Sequence, residues 1–169
     1  MRVAEPADGF VVRLDEVLAR LVVLAETPPL DALTDPDPPT GEQWDWSQVW
    51  AHMVEFVPYW IEQIRLVLDT DTHQAVPFGR VKTDPDRIAG IEVRRYEPVA
   101  GLFARLSEEV ADLKAFLADL SEEDWRRTAL HQTRGVMPMD RIVDEFLVGH
   151  LEEHLAQLES LAPPGARTR

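Results

Sequence analysis

Residues 139–161 read MDRIVDEFLVGHLEEHLAQLESL. This stretch predicts one long amphipathic helix. Val143, Leu147, His150, His154, Leu158 and Leu161 follow one another at steps of four, three, four, four and three. Such spacing marks the buried stripe of a bundle helix. Two of its six positions are histidines where leucine is expected. A buried imidazole without a partner costs roughly 1–3 kcal/mol. Residues at i and i+4 share a face, so one metal ion can answer both.

The chain upstream reads as further helices. Val11, Leu14, Leu18, Leu21 and Val22 give a helical period from about Phe10 to Glu26, with Asp8 or Gly9 as cap, and Thr27-Pro28-Pro29 ends it. Residues 27–43, TPPLDALTDPDPPTGEQ, predict a stiff surface crossover packed on the bundle. A second helix starts near Asp45 or Ser47 and runs to about Leu68, its stripe formed by Val49, Met53, Val57, Trp60, Ile64, Val67 and Leu68. His52 and Phe56 lie on the margin of that stripe. Pro58 should kink this helix one turn beyond His52.

Asp69 to about Asp84 reads as a loop, followed by a short helix with Pro85 at its first position. Val99, Leu102, Phe103, Leu106, Val110, Leu113, Leu117 and Leu120 predict a long helix. Ser121 and Asp124 suggest a capped short turn, and residues 126–138 a loop or short extended connection. Pro163-Pro164-Gly165 closes the last helix. Residues 1–9 and 163–169 are expected to fray. No convincing strand, repeat or low-complexity tract is found. Four long helices predict an all-α four-helix bundle with a long first crossover and short extra helices, a single domain over 1–169.

Composition narrows the function. With 45% hydrophobic residues, 169 residues suffice for one sizeable core. There is no cysteine, so any metal must use His, Asp, Glu or water. Seventeen basic against 31 acidic residues give a net charge of −14, which disfavours nucleic-acid binding. No apolar run reaches the ~18 residues of a membrane span, and the first residues lack the pattern of a signal peptide. The expectation is a cytoplasmic protein.

Within a bundle, His52 of the second helix can meet His150 and His154 of the last. Three imidazoles plus an open position suit a catalytic divalent ion; zinc fits, as do nickel and iron. Glu152 and Glu153 lie off the stripe and are read as solvated. Glu55 can face the site as a base or as a partner of His52, but the preferred reading is a solvated rim carboxylate. His131 is assigned a structural or exposed role and His73 an exposed one. Trp44, Trp46, Trp50, Trp60 and Trp125 are read as core or rim packing.

Three stretches together resemble a known family. They are WSQVWAHMVEF with Trp46, Ser47 and His52, LSEEDWRRTALH at 120–131 with Trp125 and His131, and VGHLEEHLAQLESL with His150, His154 and Gln157. The pattern resembles the DinB-like metal-binding four-helix bundles, which include thiol-dependent S-transferases and the N-terminal domain of mycothiol-dependent maleylpyruvate isomerase. The resemblance implies metal ligands at His52, His150 and His154. It also implies a bundle that is not simple up-down-up-down, and a homodimer as one assembly. The isomerase carries a further C-terminal domain that has no counterpart here, so isomerase activity is not expected. The function implied is a Zn- or Ni-dependent transferase that activates a low-molecular-weight thiol such as mycothiol or bacillithiol for a small-molecule substrate. The alternatives are a metal-dependent hydrolase and a non-catalytic metal-stabilised bundle that binds a ligand or partner.

Overall fold

The computed structural model describes residues 6–72 and 74–166. Its elements are α1 (Pro6–Ala25), α2 (Trp46–Asp69), β1 (Val76–Phe78), α3 (Pro85–Arg94), α4 (Val99–Asp119), α5 (Glu122–Trp125), β2 (Thr128–His131), β3 (Gly135–Pro138), α6 (Met139–Val143), a π-helical turn (Asp144–Val148) and α7 (Gly149–Leu161). His73, read as exposed, lies outside the described residues, as do residues 1–5 and 167–169. Of the segments expected to fray, residues 6–9 instead open α1, and Pro164–Ala166 form a 3-10 turn.

The four long helices form the expected bundle. α1 packs on α4 and α7, and α2 packs on the same two. The first two helices of the chain are therefore diagonal partners, and the crossover 26–45 spans the diagonal. The core is the sum of the apolar stripes. Leu14, Val17, Leu21 and Leu24 come from α1, and Leu102, Leu106, Val110, Leu113 and Leu117 from α4; all are buried. Burial of such side chains, about 1.5–3 kcal/mol each, is the driving term.

α2 is the central element. Asp45 caps it in a reciprocal box: its Oδ1 accepts from the Gln48 amide at 2.9 Å, and Gln48 Oε1 accepts from the Asp45 amide at 3.0 Å. The helix is continuous through Pro58, whose ring is exposed. At its far end Arg127 Nη2 donates to the carbonyls of Val67 at 2.6 Å and Thr70 at 2.9 Å, satisfying groups the helix end leaves open.

The expectation of no strand is corrected. A three-stranded sheet runs in the order β1-β2-β3. β1 is parallel to β2, with Val76 opposite Ala129 and Phe78 opposite His131. β2 is antiparallel to β3, with Thr128 opposite Pro138 and His131 opposite Gly135. Residues 132–134 form a three-residue hairpin loop closed by Gly135 at φ 72°, the left-handed conformation such loops demand. The sheet lies on α2, where Phe78 and His131 join Trp60 and Phe146 in a ring cluster.

The last helix is also not one plain α-helix. The Gly149 amide donates to the carbonyl of Asp144, five residues back, closing a π turn. A Cβ on residue 149 would lie 2.8 Å from that carbonyl oxygen, so the turn requires glycine.

Candidate metal centre

His52 stands in the middle of α2, His150 and His154 one turn apart on α7, and these two helices pack together. Their Nε2 atoms converge. His150 Nε2 is 3.1 Å from His52 Nε2 and 3.2 Å from His154 Nε2. The three residues offer ligand atoms all within 4.8 Å of one another. Two nitrogens bound to one zinc at ~2.05 Å and the tetrahedral angle would be about 3.3 Å apart. The spacing fits.

The protons decide what those short contacts are. His154 Nδ1 lies 2.7 Å from Gln157 Oε1, and His150 Nδ1 lies 3.3 Å from Glu153 Oε2. Both oxygens accept only, so both Nδ1 atoms donate. A neutral imidazole has one proton. The Nε2 atoms of His150 and His154 therefore face each other with lone pairs, which repel unless a cation lies between them. On His154 a proton is disfavoured. Burial holds both His52 and His154 well below the ordinary imidazole pKa, and the neighbouring histidines push the same way. A divalent ion suits the donor set.

The surroundings are apolar on two sides. The Trp44 ring meets His52 edge-on at 4.8 Å and stacks against His154 at 5.8 Å. Phe56 lies 4.5 Å from the His150 ring and 5.0 Å from that of His52. His52 and His154 are buried, while His150 is partly open. The open side leads into a cavity of about 490 Å³, a volume suited to a small organic molecule. The crossover supplies much of its wall, including Thr34, Asp35, Asp37, Glu42 and Trp44. Thr34 fastens that wall: its amide donates to the Trp44 carbonyl at 2.8 Å, and its Oγ1 accepts from the Trp44 amide at 2.9 Å. Lys82 and Arg87 add positive charge, Arg87 lying over Trp44 at 5.2 Å.

The model of the DinB superfamily matches residues 13–158. The chain belongs to the DinB superfamily. Among solved structures, YfiT from Bacillus subtilis, described as a probable metal-dependent hydrolase with an unusual four-helix bundle topology, aligns with TM-score 0.73 at 20% identity, covering 95% of this chain and 88% of that one. Mycothiol-dependent maleylpyruvate isomerase aligns with TM-score 0.66 at 13% identity, over 95% of this chain and 65% of that one. A histidine-to-alanine variant of that isomerase gives the same TM-score at 10% identity. At these identities the likeness shows the fold. No curated protein matches the chain by sequence.

In this DinB-superfamily chain the structure brings His52, His150 and His154 together and leaves the other described histidine apart. His131 is buried in the ring cluster, its Nδ1 accepting from the Thr133 amide at 3.3 Å and its Nε2 donating to the Arg80 carbonyl at 3.2 Å. Glu152 pairs with Arg13 of α1 at 2.6 Å, tying α7 to α1. Glu55 is not a solvated rim residue: its side chain is only 9% exposed, and Arg80 holds it at 2.6 Å. Sequence reasoning missed Arg87 and Lys82, and did not single out Trp44 among the tryptophans. The one signal that could have found Trp44 was its place directly before the Asp45 cap of the His52 helix.

Proposed function

We propose that this protein is a divalent-metal enzyme. His52, His150 and His154 would hold zinc or nickel, and the reaction is the transfer of a low-molecular-weight thiol to a small electrophile. The observation that carries the reading is the meeting of three histidine Nε2 atoms, two of them facing as lone pairs, at the wall of a cavity of about 490 Å³. A divalent ion bound there would supply acidification of a thiol or a water. With no cysteine in the chain, the thiol must come from a cosubstrate.

The chain's own residues do the rest. Trp44 and Phe56 shield two sides of the histidine cluster from water. Asp35 and Glu153 put carboxylates on the cavity wall, where a released proton can be taken up. The hydrogen bond from His150 holds Glu153 below the usual carboxylate range, so it accepts protons only transiently near neutral pH. Arg87 and Lys82 stand on the same wall, Lys82 bonded to Asp37 and Arg87 3.8 Å from Glu42, so the two cations offset two of the wall's carboxylates.

A second reading, metal-dependent hydrolysis, is favoured by the likeness to YfiT and needs the same open position with water in place of the thiol. The test is a paired assay of the zinc- and nickel-loaded protein. One arm mixes mycothiol, bacillithiol or glutathione with alkylating electrophiles; the other offers esters and amides without thiol. We expect metal-dependent thiol consumption that His154→Ala abolishes. Turnover only in the thiol-free arm selects hydrolysis. No metal-dependent turnover in either arm contradicts an enzymatic role.

A further inference from the structure

Each histidine of the cluster has a carboxylate or amide three residues further along its own helix: Glu55 after His52, Glu153 after His150, Gln157 after His154. On a helix, i and i+3 share a face. Two of the three pairs are closed in the structure, His154 with Gln157 at 2.7 Å and His150 with Glu153 at 3.3 Å. The third is not. His52 Nδ1 is fully buried and has no hydrogen-bond partner, while Glu55 Oε2 stands 3.7 Å away. A buried orphan of this kind is unfavourable, and closing the remaining gap would bring the pair to hydrogen-bond distance.

Glu55 is held beside that gap. Arg80 Nη2 grips its Oε2 at 2.6 Å. Arg80 in turn lies over the Tyr59 ring at 3.8 Å, and its carbonyl accepts from His131 Nε2 at 3.2 Å. Gly79, at φ 82°, makes the turn that delivers Arg80 from the end of β1; a Cβ there would strike His131 at 2.8 Å and Trp60 at 2.9 Å. On the opposite side, α3 passes so close that a Cβ on Gly90 would lie 2.9 Å from Glu55 Cγ. The small sheet and α3 thus converge on one carboxylate.

We propose that Glu55 is the positioning residue of the metal centre: its Arg80-anchored carboxylate accepts the Nδ1–H of His52 and leaves Nε2 as the only ligating nitrogen. This rests on the metal-centre reading above. It gives the buried Glu55–Arg80 pair a task, because partners that orient a metal-bound histidine fix its tautomer and strengthen it as a ligand. It also gives His131 one, as the clamp on the Arg80 loop.

The test is Zn²⁺ affinity, measured by chelator competition on the wild type, Glu55→Gln and Gly90→Ala, with thermal unfolding of each metal-free protein as the fold control. Gly90→Ala displaces the carboxylate while keeping every charge, so it serves where Glu55→Gln fails to fold. We expect a loss of about 10–100-fold in Zn²⁺ affinity in both variants. We also expect, in ¹⁵N-histidine NMR of the Zn²⁺-loaded wild type, a protected Nδ1–H on His52. Affinity within about twofold of wild type in the folded variants, or zinc on His52 Nδ1, overturns the role of Glu55 alone. A wild type that takes up no Zn²⁺ overturns the metal centre and this inference with it.

Discussion

A histidine on a leucine stripe is a visible anomaly, and His150 and His154 could be read from spacing alone. His52 could be read as an imidazole beside a stripe, and it needed the fold to become the third member. What decides the chemistry was not legible: the direction of each Nδ1, set by Glu153 and Gln157, and the burial of Glu55, set by Arg80 from a loop 25 residues on. Those partners are defined by packing between segments, which no local pattern encodes. A second anomaly on this scale is Glu109 on α4. Its Oε2 is buried without a partner, and burial raises its pKa to about 8, with Arg105 and Arg94 opposing. In the unfolded chain it titrates near the ordinary carboxylate value, so between that value and about 8 the folded state binds the extra proton. Stability contributed by this group is therefore lost as pH rises through that window. Glu109→Gln should raise stability relative to wild type by about 1 kcal/mol at pH 8, discounted for partial exposure, and by much less at pH 5. Urea unfolding at the two pH values checks it; an equal difference at both would contradict the assignment.

The long helices were legible because each carries a stripe at 3.6-residue spacing, as in Leu102, Leu106, Val110, Leu113 and Leu117. The sheet was not, for physical reasons. Its strands have three or four residues, Pro77 and Pro138 lie in two of them, and β1 pairs with a strand some 50 residues away. The π turn was hidden as well, although Gly149 in the middle of a helical pattern was its trace. That turn inserts a residue into the helical register just ahead of His150 and His154. Gly149→Ala places a Cβ 2.8 Å from the Asp144 carbonyl oxygen. The strain should cost about 1–3 kcal/mol and reduce metal uptake as α7 shifts. Thermal unfolding and metal content of the purified variant test this; wild-type values for both would show that the π turn does not position the site.

The bundle as a whole was predicted from four stripes and one long crossover. The structure adds the reason the crossover is long: it joins two diagonal helices and walls the cavity on its way. None of the helices among the described residues is long and apolar enough to cross a membrane. Metal should act on the whole fold. At free Zn²⁺ 100-fold above Kd, binding to the folded state adds about 2.7 kcal/mol, so Tm should rise on loading and fall back with chelator. The pH dependence follows from the buried imidazoles. The folded pKa values of His52 and His154 lie below the unfolded value, so their own contribution to metal-free stability is full above about 6.5 and is lost as pH falls below it. In the Glu109→Gln background, which removes the opposing contribution of that carboxyl, metal-free Tm should be lower at pH 5.5 than at 7.5, and metal-loaded Tm should drop further, because protons compete for the same Nε2 atoms. With Glu109 removed as the opposing carboxyl, a metal-free Tm that still rises on acidification would contradict burial as the dominant influence on the imidazoles.

The central claim is that His52, His150 and His154 form one site for one divalent ion. Calorimetric titration of the metal-stripped protein with Zn²⁺ at pH 7.5, beside His154→Ala, measures this directly. One ion per chain is expected in the wild type and less than about a tenth of an equivalent in the variant under the same conditions. No saturable binding in the wild type, or equal binding in a folded His154→Ala protein, would contradict it.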